Sequence, residues 1–341
     1  MKGCMGIYSQ ALAESKVQDR KLSSDEIAGK VSQKLTAAIT VEKLPQVDAI
    51  SIFCAGSTAR NEAGTNSDLD LFILHKQKRS SEKLSIENAP TGLSRLDEFV
   101  LYSELIRINS ELGLPEFSND GEFLRVYSVS DMSRVIGMTR DDHDNLFTAR
   151  ILLLLESRVL FNEPLYRSAI DEICSVYFRD DKVGNTPFRP YFLLNDLLRY
   201  WRTVCLNYET SRYSRTKSWR KKNFNLKYSR LLTVYSTVLA IAISPSINRT
   251  TFADLISKTP LQRLALALDS INDDSLLSKF KELLDQYEYF LEAKDNKSFE
   301  SELPPHMKEK LNQNAETFSD FFQLCINHPA VPKHMQKVIL L

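Results

Sequence analysis

The stretch FCAGSTARNEAGTNSDLDLFIL, residues 53–74, decides the reading of this chain. An apolar, β-prone run, VDAISIFCA, ends at the pair Gly56-Ser57. A polar loop follows, and then SDLDLFILHK, in which acidic and apolar residues alternate before a continuous apolar stretch. This is the pattern of two strands joined by a glycine-containing loop. Side chains at i and i+2 of a strand share a face, so Asp68 and Asp70 are placed to converge on one point. Two adjacent carboxylates repel unless a cation lies between them. A hard divalent ion, Mg²⁺ first and Mn²⁺ as a substitute, suits such a pair of oxygen ligands. Gly56 lets backbone approach a ligand closely, and Ser57 adds a hydroxyl and amide donors, a combination suited to a triphosphate. Arg60 supplies a planar cation that matches phosphate oxygens. Glu62 has two readings: a place at the nucleotide, or a simple ion pair with Arg60 across the loop. His75 reads as a strand-end residue.

Working outward, residues 23–42 space Ile27, Val31, Leu35 and Ile39 four apart behind capping Ser and Asp residues, which predicts an amphipathic helix. Residues 77–94 read as an exposed connection with Pro90 and Gly92, and residues 95–112 as a second helix, with Asp97 and Glu98 on its solvated face. The run GEFLRVYSV, residues 121–129, is a third strand candidate. Beyond about residue 130 only helical patterns are expected, at 143–159, 165–178, 188–209, 226–243, 260–269, 276–292 and near the C-terminus. Asp141, Asp142 and Asp144 read as helix-start acids complementing a helix dipole, not as metal ligands.

The motif G-S-x-A-R-x-E followed by S-D-L-D-L resembles the signature of polymerase β-type nucleotidyltransferases, and most of all the branch containing the bacterial PII uridylyltransferase. The resemblance implies an α+β fold: a nucleotidyltransferase domain with a small mixed sheet and flanking helices over residues 1–135, then an all-α domain over residues 136–341 that binds substrate or nucleotide. It implies that Gly56, Ser57 and neighbouring Ser67 hold the nucleotide phosphates, and that Asp68 and Asp70 are catalytic metal ligands. It implies transfer of a nucleoside monophosphate from an NTP to an acceptor hydroxyl, with release of pyrophosphate. The family pattern has a third carboxylate on a later strand. Asp120 and Glu122, at the start of the third strand candidate, are the nearest acids.

The charge balance narrows the partners. Lys plus Arg equals Asp plus Glu at 44 each in 341 residues, so no bulk field draws the chain to nucleic acid or membrane. Locally, Thr210 to Phe252 holds Arg212, Arg215, Lys217, Arg220, Lys221, Lys222, Lys227 and Arg230 with no acid, interleaved with Tyr213, Trp219, Phe224 and Tyr228. Three uses are open: a surface for phosphates and stacked bases, a solvated connector, or cations for the triphosphate itself, with Lys227 the candidate. The helix RPYFLLNDLLRYWRTVCLNYE carries Asn195, Arg199 and Arg202 at spacings of four and three, a polar face expected to line a cleft and contribute to nucleotide binding. The acceptor is expected to be RNA, including a tRNA end as for nucleotidyltransferase toxins, or a protein side chain, with a small molecule such as an antibiotic or a second nucleotide, giving a signalling dinucleotide, also open. The alternative is a catalytically silent module that binds nucleotide or RNA and regulates a partner.

Five scattered cysteines without a CxxC spacing point to a reducing, cytoplasmic location. The N-terminal residues lack a secretory h-region, and the apolar run Leu231 to Ile243 is shorter than the roughly 20 residues that cross a bilayer, so no membrane partner is expected.

Overall fold

The computed structural model describes residues 5–65, 67–76, 93–117, 121, 123–181, 188–213, 219–296, 299 and 303–340. The chain divides into two compact units, Lys21–Arg179 and a second made of Met1–Arg20 with Asp180–Leu341.

The first unit is built around a four-stranded mixed sheet of order β3-β2-β1-β4. Strands β1 (Ile50–Ala55) and β2 (Asp70–His75) pair antiparallel from Ile50 opposite His75 to Ala55 opposite Asp70. Strand β3 (Val126–Ser128) runs parallel to β2, with Val126 beside Ile73. Strand β4 (Ser157–Phe161) runs antiparallel to β1 on its other side, with Ser157 beside Ala55 and Arg158 beside Cys54. All six residues of β1 are buried, as a central strand covered on both faces requires.

On one face Ile50, Ile52, Cys54, Leu71 and Ile73 pack against α2 (Arg20–Ala38), through Ala28, Val31 and Leu35, and α3 (Arg95–Glu111), through Leu101, Leu105 and Ile108. On the other face Phe53 stacks on Phe72 at 5.0 Å, flanked by Tyr127 and by Tyr166 of α7 (Glu163–Tyr177). Each fully buried large side chain here contributes roughly 1.5–3 kcal/mol through removal from water. The Ser94 hydroxyl caps α3 by accepting from the Asp97 amide at 3.1 Å.

Two expectations change. Residues 143–159 form no single helix: α5 (Thr139–His143) and α6 (Leu146–Leu155) precede β4, a strand beyond residue 130. The buried run Leu152–Leu155 carries neither a helical nor an alternating pattern, and β4 is only five residues long, so LLLLESRVLF hides the change from helix to strand. The sheet-containing unit therefore extends past 135, to Arg179. Asp141 lies in the first turn of α5, as a helix-start acid does, and has a further role. It is fully buried and clamps Arg150 of α6 with two bonds, at 2.7 and 2.9 Å, while Arg150 Nε donates to Tyr177 Oη at 2.8 Å. Short helix α4 (Val129–Arg134) joins this cluster, since the Met132 carbonyl accepts from Arg150 Nη1 at 3.1 Å.

The described part of the second unit is helical. Helix α1 (Ile7–Ala13) is held by Asp269 of α12 (Pro260–Ile271), whose carboxylate accepts from the Tyr8 amide at 2.9 Å and the Ser9 amide at 3.2 Å. Helix α8 (Tyr191–Tyr213) is followed by α9 (Trp219–Asn225), one π-turn (Leu226–Arg230) and α10 (Leu231–Ile243). Then come α11 (Arg249–Ile256), α13 (Leu277–Asp295), α14 (Pro305–Ile326) and α15 (Lys333–Leu340). Tyr228 of the π-turn stacks on Phe290 at 4.5 Å and meets Phe318 at 5.2 Å, forming the aromatic core. The continuous helical stretch Lys221–Ile243 is longer than the apolar run expected from sequence. By length and composition alone it could cross a membrane, and 67% of its apolar window is buried inside the protein.

Candidate functional site

Strand β1 delivers the chain to Gly56, where the backbone turns at φ +77°, a conformation glycine adopts without strain. The loop then closes one helical turn. The Arg60 amide donates to the Gly56 carbonyl at 3.0 Å, and the Glu62 amide to the Ser57 carbonyl at 2.8 Å. Asn61, at φ +62°, ends the turn, a role its short polar side chain tolerates.

The turn lies against the aspartate segment. A Cβ at Gly56 would stand 3.4 Å from Asp70 Oδ2, an ordinary contact distance, so backbone and carboxylate face one another closely. Asp70 is the first residue of β2, directly opposite Ala55, and Asp68 lies two residues ahead of the strand. Burial alternates here: Leu69 and Leu71 sit in the core cluster, while Asp68 and Asp70 are half-buried. Ser67 shapes the approach, its hydroxyl accepting from the Gly64 amide at 2.9 Å.

Arg60 is buried, at 6% exposure, and forms an ion-pair network. Its Nε donates to Glu62 Oε2 at 2.7 Å, and its Nη1 donates to Glu156 Oε2. Of the two readings of Glu62, the structure contains the ion pair. Arg158 of β4 donates to Asn61 Oδ1 at 3.3 Å and to Asp25 of α2 at 2.5 Å. The Ala63 amide donates to the Ser24 hydroxyl of α2 at 3.0 Å. Sequence reading missed Glu156, Arg158 and Ser24, which reach the loop from distant parts of the chain, and Asp25, which bonds Arg158. Thr58 was also missed. Its hydroxyl is buried in the loop with no hydrogen-bond partner among the described residues, a state that costs about 1–3 kcal/mol.

Burial pushes the Cys54 thiol up to about 12, with Arg158 pulling the other way and Asp70 adding to the rise, so this neighbour of the site stays neutral. His75, at the far end of β2, is buried and its Nε2 has no hydrogen-bond partner among the described residues; loss of hydration lowers its pKa.

The other candidates separate. Asp120 and Glu122 lie outside the described residues. Among the described residues no group of three or more His, Cys, Asp or Glu side chains is arranged to hold a metal ion. In the helical unit Arg199 pairs with Asp196 at 3.2 Å, and Asn195 and Arg202 are exposed. Lys227 donates to Asn312 at 2.9 Å, and Arg230 to Tyr200 Oη at 3.2 Å. Phe224 and Tyr228, read as possible base-stacking residues, are buried at 4% and 0% exposure and serve the aromatic core instead. Tyr213 remains exposed.

Sheet and flanking helices define an α+β domain, and residues 37–116, which hold the turn and both aspartates, match the family model of the nucleotidyltransferase domain. The matched segment runs from the end of α2 through β1, the loop and β2 to the residues just after α3. No curated protein and no solved structure matches the chain.

Proposed function

We propose that this protein transfers a nucleoside monophosphate from an NTP to an acceptor hydroxyl, releasing pyrophosphate. The observation that carries the reading is the approach of Gly56 to Asp70 Oδ2, at 3.4 Å from the glycine's Cβ position. A positive-φ turn offering backbone donors, set against a half-buried carboxylate, suits a triphosphate chelated by a cation. Asp68 and Asp70 fit Mg²⁺ or Mn²⁺ as hard oxygen donors on one side of the chain, and such an ion, when bound, supplies charge stabilisation to the attacking and leaving oxygens. Gly56 and Ser57 hold the β and γ phosphates, with the Thr58 hydroxyl within the same turn. The acceptor oxygen bonds to the α-phosphorus as the bond to the bridging oxygen breaks, and the hydroxyl proton passes to a base. The acceptor is RNA or a protein side chain. The four described cysteines are free thiols, which accords with a cytoplasmic location.

A catalytically silent nucleotide-binding module is the second reading, favoured by the absence of a three-carboxylate cluster among the described residues. One experiment separates the two. Purified protein is incubated with each α-labelled NTP, Mg²⁺, and either total RNA or cell lysate. Label transferred by the wild type and lost in both Asp68→Asn and Asp70→Asn supports the enzyme. Binding without transfer supports the silent module, and equal labelling by the aspartate variants rejects the site.

A further inference from the structure

Removing one cation and two carboxylates from water costs several kcal/mol per ion, so a buried triad such as Glu62–Arg60–Glu156 is poor evidence of stabilisation and better evidence of a fixed geometry. What it fixes can be read from its connections. Glu62 belongs to the same loop as Arg60, and that pair alone would close a local ring without attaching it to anything. Glu156 lies 96 residues away, between the end of α6 and the start of β4. The next residue, Ser157, pairs with Ala55, the residue that launches the loop at Gly56. The Arg60–Glu156 bond therefore ties the far end of the turn back to the sheet row from which its near end departs.

Arg158, two residues on, bonds Asn61, and Ser24 of α2 holds Ala63. The C-terminal half of the turn is thus anchored to elements distant in sequence. The N-terminal half carries Gly56 and Ser57.

We propose that Glu156 is a positioning residue for the triphosphate: acting through Arg60, it holds the Gly56–Ser57 turn at its working distance from Asp70. The inference rests on the nucleotide reading above. A loop already in its bound shape loses little conformational freedom when ligand arrives, so releasing the clamp weakens phosphate binding while the protein remains folded.

The test is isothermal titration of the full chain with ATP, GTP, CTP and UTP, each with Mg²⁺, alongside a thermal melt of every variant. Glu156→Gln, which keeps shape and loses charge, is expected to raise the Kd of the nucleotide bound by the wild type at least tenfold. In an Arg60→Met background the same substitution is expected to change Kd less than twofold, a dependence that a merely structural role would not produce. Should Glu156→Gln fail to fold, Glu156→Asp, which keeps the charge and loses reach, carries the same expectations. A folded Glu156 variant with wild-type affinity, or an effect that persists undiminished without Arg60, overturns the inference. Asp70→Asn serves as the control for the underlying reading: if it binds nucleotide as the wild type does, the site itself is wrong and the clamp falls with it.

Discussion

Gly56→Ala tests the geometry of the turn most directly. The backbone there has φ +77°, where an L-residue is strained by about 1–2 kcal/mol. Alanine also restricts the unfolded chain, which returns roughly 0.4–1 kcal/mol. The net loss is roughly 1 kcal/mol, and for a unit the size of Lys21–Arg179 that lowers its Tm by about 2–4 °C. The effect on binding is expected to be larger than the effect on folding. The added methyl stands 3.4 Å from Asp70 Oδ2, an ordinary van der Waals contact that the fold tolerates, yet it fills the gap a phosphate group and its cation would share. Calorimetric unfolding is expected to show the small Tm shift, and titration with the Mg²⁺–NTP complex at least a tenfold rise in Kd. A variant with wild-type affinity would show that the gap between turn and carboxylate is not the ligand's seat, and the reasoning would fail.

Asp141→Asn leaves the buried Arg150 guanidinium without its carboxylate, at an expected cost of about 3–5 kcal/mol in urea unfolding; a loss below 1 kcal/mol would mean the pair is not buried as described. The stability of the sheet-containing unit is expected to depend on pH through His75. Burial lowers its pKa from the ordinary 6.5, so the unfolded chain takes up the proton first as pH falls. Stability is therefore full above 6.5 and declines below it by at most about 1.4 kcal/mol per pH unit, until the folded state also protonates. Denaturant melts between pH 7.5 and 5 are expected to show that slope in the wild type and a flatter profile in His75→Leu; parallel profiles would remove His75 as the cause.

The parts of the fold and site that are local in sequence were legible. Gly56 follows β1 and Asp70 begins β2 opposite Ala55, so local spacing places turn and carboxylate side by side, while Asp68, expected on the same strand, lies two residues ahead of it; β1, β2, α2 and α3 carry clear alternating or helical patterns. What depended on distant pairing was not legible. The partner that anchors Arg60 is 96 residues away, and no local pattern marks Glu156 as buried. Strand β4 follows an apolar helix after only Glu156, too short a polar interruption to mark a change of element. The segment around Tyr228 left its uses open for a related reason: the alternation of aromatic and basic residues does not reveal that Phe224 and Tyr228 turn into the core while Lys227 bonds Asn312.

The late arrival of β4 has a practical corollary. The segment 37–116 that matches the family holds the turn and both aspartates, yet lacks Ser24, Asp25, Glu156 and Arg158, along with the strands on either edge of the sheet. During synthesis the turn emerges from the ribosome long before Glu156 and Arg158, so its final shape is a product of completed tertiary folding. An excised version suitable for biochemistry has to follow the compact unit Lys21–Arg179, since a shorter piece would keep the signature and leave it unsupported.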